Sequence, residues 1–429
     1  MMPEHKDWKR RLEDKAARKA LAELYGGAGE GQAKRYIGLA ELAARDHAGE
    51  PGPELRFYSA PGRTELGGNH TDHNRGRVLC AAVGLDAVAC VAPSTDKIVR
   101  LVSAGYSDPI IVDLSSLEPV SAERGSTAAL VRGVAKALAT AGAKLRGFKG
   151  RIDSEVLPGS GLSSSAALEV LLGTIMADLA GLPVPPLEIA KIGQFAENEY
   201  FGKPCGLMDQ TASAVGGIVA IDFAEPTAPK VKRIKYDFAE EGYELIVVNT
   251  GGSHADLTSD YAAVPSEMRA VALSCGAHYL REVRLSELVA RGPEIRKDCG
   301  DRAFLRALHF AADNERVVEM TKALEGDDFG AYLKLVKKSG RSSWQLLQNV
   351  YAPSSPSEQG VSVALALSEG YLGRKGAWRV HGGGFAGTIQ AYVPRKLSDG
   401  YAGLMTRYFG SGSVIPISVR DKGALRVFE

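Results

Sequence analysis

The chain has 429 residues, 45% of them hydrophobic and 24% charged, the balance of ordinary globular protein and enough for two or three domains rather than one small core. Its 52 basic and 51 acidic residues leave a net charge of +1, which offers no bulk attraction for nucleic acid or an anionic membrane and favours small ligands recognised locally. The N-terminus MMPEHKDWKRRLEDK is charged without an apolar stretch, and the most apolar run, 78–93, is broken by Asp86; a soluble, cytoplasmic protein with no membrane span is expected.

Residues 8–24 and 32–47 read as two short amphipathic helices around the glycine turn 26–31, and the breaker GEPGPE follows at 49–54; together they predict a helical lead-in over 1–54. From 55 the pattern turns β-rich, with LRFYSA, VLCAAVGLDAVACVAP, IVRLVSA and PIIVDL, each dense in residues that fit a pleated surface. Helical spacing then predicts helices near 125–142, 162–181 and 186–201. KVKRIKYDF and YELIVVNT restore strand character, and the acidic, glycine-containing AEEGYE at 239–244 places a domain junction between 55–241 and 242–429. The second half reads as helical over 265–349, carries the Pro/Ser loop YAPSSPSEQG at 351–360, then a further helix, two strands at WRVHGG and GTIQAYVP, a helix near 396–409 and a strand at VIPISV. Strands and helices mixed in both halves predict an α+β fold of two domains rather than a doubly wound sheet. Cys80, Cys90, Cys205, Cys275 and Cys299 are odd in number and unclustered, the pattern of reduced thiols rather than of a disulfide framework or zinc site.

Three segments carry chemistry: APGRTELGGNHTDHNRG at 60–76, VLPGSGLSSSAALE at 156–169 and HGGGFAGT at 381–388. In the second, Gly159 and Gly161 let the backbone approach an anion closely, and the helix starting near Leu162 aims free N–H groups and its positive dipole end at it. No Gly-Lys-Ser/Thr follows, so this is no Walker A loop. The consecutive glycines of the third permit positive φ and close backbone approach.

Taken in this order, the segments resemble the signatures of the GHMP small-molecule kinases, and CGLMDQ at 205–210 is similar to the galactokinase branch. The resemblance covers nearly all of 20–429. It implies an N-terminal domain of the ribosomal-protein-S5 domain 2-like type, a ferredoxin-like C-terminal domain, and ATP- and magnesium-dependent phosphorylation of galactose at its 1-hydroxyl, with no obligate protein partner. It assigns the phosphate cradle to Gly159, Ser160, Gly161, Leu162, Ser163, Ser164 and Ser165, magnesium to Ser165 and Glu197, and catalysis to Asp209 with the facing Arg63. A carboxylate beside a guanidinium stays ionised, so two roles for Asp209 stand open: proton acceptor, or electrostatic and orienting partner of the sugar hydroxyl. His70, Asp72, Gly206 and Tyr261 are implied to line the hexose pocket.

One departure bears on the substrate. Galactokinases carry a glutamate where this chain has Asn69, and that glutamate accepts a hydrogen bond from the hydroxymethyl of galactose; Asn69 is expected to face the same group. Hydrogen bonds to charged groups contribute about 1.5–3 kcal/mol, and an amide donates as well as accepts, so galacturonate or another modified hexose is the alternative substrate. A catalytically silent sugar and ATP sensor is the alternative of another class. Glu65 for the family's usual asparagine and Gly67 for its aliphatic residue lie in the same loop.

Overall fold

In the computed structural model, which describes residues 10–428 except 13, 48–53, 107, 157–158 and 253–256, two long strands carry the N-terminal half. Strand β1, Arg56–Gly67, pairs antiparallel with β2, Arg77–Pro93, and the register shifts between Pro61 and Arg63 and again between Glu65 and Gly67. The sheet continues with β3 (Ile98–Ser103), β4 (Ile110–Asp113) and β5 (Phe148–Ser154), and with the C-terminal strand β12 (Leu425–Arg426) takes the order β12-β1-β2-β5-β3-β4. β6, Ile218–Asp222, pairs with the first part of β2 and in turn with β7, Lys230–Ile234, while β5 takes the second part.

Because β2 is central and covered on both faces, its sequence is a near-continuous apolar run rather than an alternation. Phe57, Val88 and Cys90 face a core built with the helices Lys15–Tyr25 and Gly29–Asp46. Tyr58, Ala87, Ala89 and Val91 face the main core, which takes in the helices Thr127–Thr140 and Ser164–Leu179. Of the two lead-in helices the first is helical at 10–12 and again over Lys15–Tyr25, the second stretch capped by Asp14; residues 8, 9 and 13 of that expectation, and most of the breaker at 49–54, lie outside the described residues.

Asp86, which interrupts the apolar run in sequence, is the anchor of this lead-in. It is fully buried, paired with Arg420 at 2.9 Å and Arg35 at 2.6 Å, and accepts from Tyr25 and Ser59. Burial alone would raise its carboxyl, but Arg420 and Arg35, with the two hydroxyls, outweigh this and hold it below the ordinary value.

After the turn at the expected junction, β8 (Tyr243–Asn249), β9 (Ala377–His381), β10 (Thr388–Pro394) and β11 (Val414–Ile417) form an antiparallel sheet in the order β11-β8-β10-β9, the ferredoxin-like arrangement. One face is covered by the helices Gly360–Leu372 and Arg395–Phe409; the other places Leu245, Val247, Tyr392 and Ile417 in the main core of the N-terminal half. The apolar core therefore runs continuously across 241 and 242, and β12, Leu425–Arg426, returns the chain end to β1. The fold is α+β, with two sheets joined through a shared core to which the helices Asp301–Glu325 and Phe329–Ser342 also contribute.

The expected helix over 186–201 is α-helical only over Pro186–Phe195 and widens into a π-helical turn, Ala196–Phe201, that carries Glu197; such turns are frequent at functional sites. Among the described residues no helix is long and apolar enough to cross a membrane, and all five cysteines are free.

Replacing Asp86 by Ala leaves the buried Arg420 without its carboxylate, and is expected to lower unfolding free energy by about 3–5 kcal/mol in urea titrations. Asp96→Ala, at an exposed pair with Arg100, should change it by less than about 1 kcal/mol. Since the Asp86 carboxyl is lowered in the fold, its contribution is present at neutral pH and is lost as pH falls below about 3.9 through the folded value; equal urea midpoints for the two variants would refute the anchoring role.

Candidate active site

The three motif segments meet at Arg63, on β1 just past the register shift that follows Pro61. Its Nε and Nη2 donate to the two oxygens of Asp209, each at 2.6 Å, and Nη1 donates to the carbonyl of Gly161. The Arg63 N–H donates to the Leu162 carbonyl at 3.0 Å, which fixes strand and phosphate loop together. Asp209 stands in the first turn of the helix Met208–Val215. Its side chain is 30% exposed against 8% for Arg63, so the guanidinium is mostly enclosed while the carboxylate is more open, and both residues line the cleft. Burial would push the Asp209 carboxyl up; Arg63 and the Ser163 hydroxyl, which also donates to it, hold it below the ordinary value instead.

The phosphate loop turns at Gly159 and Gly161, both at positive φ, and enters the helix Ser164–Leu179 through Ser163, itself left-handed at φ 58°. A Cβ on Gly161 would overlap Thr388 Oγ1 and crowd His381, so glycine is what lets the third motif close over the second. Gly159, Gly161, Ser163, Ser164 and Ser165 line a cleft of about 1050 Å³. Ser160 and Leu162 are buried. This corrects the expected helix start by two residues: Leu162 packs in the main core and Ser163 caps the helix.

His70 and Tyr261 line the same cleft. His70 Nε2 meets the Gly383 carbonyl at 2.8 Å, and burial pushes its imidazole down to about 4; the ring is neutral at neutral pH, with Nε2–H donating and Nδ1 left as acceptor. The Tyr261 hydroxyl donates to the Gly384 carbonyl at 2.8 Å. Asp72 and Gly206 are in contact, and a Cβ at 206 would overlap the Asp72 carboxylate. Asn69 does not reach the cleft. It is fully buried and its side chain is held by protein groups, which corrects the expectation that it faces the sugar.

Ser165 and Glu197 share one wall with Lys203, whose ammonium lies 3.4 Å from Glu197. Behind them Gln210 Nε2 donates to Glu197 at 3.2 Å and to Glu169 at 2.9 Å. Burial and the neighbouring Glu197 push the Glu169 carboxyl up to about 9, and Glu169 Oε1 has no partner among the described residues. Lys203, Glu169, His381 and Thr388 were not singled out from sequence. Lys203 carried a usable signal, six residues beyond Glu197 in FGKPCGLMDQ; Glu169 closes the second motif but looks like an ordinary helix charge.

The family of the GHMP kinases N terminal domain matches residues 129–217, and the galactokinase galactose-binding signature matches residues 45–93. A galactokinase of Streptomyces coelicolor is 36% identical over 339 residues, covering 78% of this chain and 84% of that one. The chain belongs to the galactokinase family. A galactokinase of Actinobacillus pleuropneumoniae is 31% identical over 83% of this chain and 89% of its own length. Among solved structures, the Lactococcus lactis galactokinase complexed with galactose superposes with a TM-score of 0.78 at 24% identity, over 90% of this chain and 99% of that one. A mevalonate kinase follows at 0.61 and 16%, over 85% and 99%, so the fold is that of the GHMP kinases. As a member of the galactokinase family the chain is a phosphotransferase acting on a sugar hydroxyl.

Asp209→Asn is expected to lower turnover by at least about a hundredfold, because the shape is kept while the charge is lost. Arg63→Lys should also be severe, since an ammonium cannot span both carboxylate oxygens and the Gly161 carbonyl; turnover within about twofold of wild type would make the pair structural only. With His70 neutral, the sugar KM should stay flat between about pH 6 and 8, and a transition near pH 6.5 that disappears in His70→Gln would overturn the assigned protonation state.

Proposed function

We propose that the chain transfers the γ-phosphoryl group of ATP to the 1-hydroxyl of α-D-galactose, giving ADP and α-D-galactose 1-phosphate. The observation that supports this reading is the Arg63–Asp209 fork, which lines one cleft with Gly159, Gly161, Ser163, Ser164 and Ser165 of the loop and with His70 and Tyr261. ATP binds with its phosphates on the loop N–H groups and the N-terminus of the following helix. The sugar lies against His70, Tyr261 and the Asp72–Gly206 corner, with its 1-hydroxyl at Asp209. Asp209 orients that hydroxyl and receives its proton, and Arg63 neutralises charge on the moving phosphoryl group.

Magnesium fits the wall of Ser165 and Glu197. That wall offers one hydroxyl and one carboxylate, backed by the unpartnered Glu169 oxygen, and magnesium takes few protein oxygens when phosphates and waters complete its shell. Among the described residues no three His, Cys, Asp or Glu side chains gather as a metal cage, and none is needed. When bound, the ion supplies charge neutralisation at the phosphates. The galacturonate and silent-sensor alternatives find no support in the relatives matched, and Ser163, Ser165, Arg63 and Asp209 are all present.

An ADP-release assay over galactose, galacturonate, N-acetylgalactosamine, glucose and arabinose should show galactose with the highest kcat/KM; preference for another sugar, or no turnover at all, overturns the reading. Ser165→Ala and Glu197→Gln should both raise the magnesium concentration for half-maximal rate. Ser163→Ala should lower turnover without moving the magnesium titration, since its hydroxyl serves Asp209. Identical magnesium titrations for all three would refute the metal assignment.

A further inference from the structure

Asn69 lies directly behind the wall that the sugar is proposed to meet, and every hydrogen-bonding group of the residue is engaged. Its Nδ2 donates to Glu65 Oε1 at 3.1 Å and to the Gly382 carbonyl at 2.7 Å, while Oδ1 accepts from Asn349 Nδ2 at 2.8 Å and from Ser343 at 3.2 Å. The backbone N–H donates to Asp313 at 2.9 Å, and the carbonyl accepts from His309 Nε2 at 3.0 Å. One residue thus ties β1, the glycine loop, the helix Asp301–Glu325 and the turn Ser343–Leu347. Glu65 extends the set by accepting from Arg379, both side chains being almost without exposure, and Arg379 Nη1 has no partner among the described residues.

We propose that Asn69 and Glu65 act as a buried amide–carboxylate pair that positions the sugar wall, Asn69 being a positioning residue rather than a sugar contact. The next residue is His70, held at φ 59°, and its ring bonds Gly383, the neighbour of the Gly382 that Asn69 holds. Moving Asn69 therefore moves both the histidine and the glycines lining the cleft. The pair needs one carboxylate and one amide. A carboxylate at 69 would set acceptor against acceptor at Glu65 and at the Gly382 carbonyl, and an uncharged residue at 65 would strip Arg379 of its counter-charge. The two departures in this loop, asparagine for glutamate at 69 and glutamate for asparagine at 65, are then a single exchange of amide and carboxylate across one hydrogen bond.

This rests on the sugar 1-kinase reading, and the test separates the two. Asn69→Glu, Glu65→Gln and the double variant are compared for ligand-free thermal midpoint and for the KM of galactose and of ATP. Asn69→Glu should lower the midpoint and raise the galactose KM by about tenfold or more, with the ATP KM within about twofold of wild type. The double variant should recover part of both losses, because it restores one charge and one amide. Additive losses in the double, or an unmoved galactose KM in Asn69→Glu, overturn the proposal. Should Asn69→Glu fail to fold, Asn69→Ala introduces no charge clash and must still raise the galactose KM selectively; equal effects on both substrates would make the residue merely structural. Wild-type protein without galactose turnover would refute the kinase reading, while the ligand-free thermal cycle still decides the pair.

Discussion

A guanidinium withdrawn from water must find partners for its fixed fork of donors, and Arg63 finds them only when three segments far apart in sequence come together. The carboxylate arrives from 146 residues downstream and the Gly161 carbonyl from 98. Neither loop can shift without exposing an unpaired buried charge. The glycine loop is locked in turn, because His381 bridges Thr64 Oγ1 at 2.9 Å and Thr388 Oγ1 at 3.0 Å across the back of the phosphate loop. Burial and the two nearby arginines hold that imidazole well below its ordinary value, so it acts as a neutral strut and adds no positive charge beside Arg63.

The same device recurs twice away from the reacting atoms. Asp86 with Arg420 and Arg35 fastens the N-terminal helices and the chain end to β2, and Glu65 with Arg379 joins β1 to β9. Desolvating such charges offsets most of their Coulomb attraction, so they add little to stability over apolar residues of the same size. What they fix is register. β1 is shifted against β2 at two points, and Arg63 and Glu65 are the residues whose partners pin those irregular stretches. An apolar substitute would tolerate a slip that a bidentate pair does not.

Much of this was legible in the sequence because glycine-rich loops and period-2 apolar runs report backbone constraints that are local. Most strands, the phosphate helix and the π-turn bearing Glu197 fall on the expected segments, but β5, β6 and β12 were not expected and β1 runs on past 60 to 67. What could not be read was direction. Asp86 looked like a flaw in an apolar run, since its partner Arg420 lies 334 residues away. Asn69 looked like a ligand contact because it stands where the family carries a sugar-bonding glutamate, yet its side chain is fully buried among Glu65, Gly382, Ser343 and Asn349. Arg379 carried no local signal at all, because Ala377 and Val380 on either face of β9 are buried as well; only its pairing with Glu65 gives it a role.

The electrostatics of Asp209 bear on how the transfer proceeds. A carboxylate held below its ordinary value is a weak base at neutral pH, and early removal of a proton from a sugar hydroxyl would run steeply uphill. Phosphoryl transfer through a loose transition state does not require it, because the attacking oxygen becomes acidic only as its bond to phosphorus forms. On the proposed reading the proton moves late, and the ionised carboxylate first acts by aligning the hydroxyl lone pair. Freeing Asp209 from Arg63 would make it a stronger base, but on the same proposed reading it would remove the positive charge that Arg63 offers the phosphoryl oxygens, where stabilisation is largest. The short bonds from Arg63 to both oxygens of Asp209 therefore suit a site in which alignment and charge neutralisation, rather than base strength, set the rate.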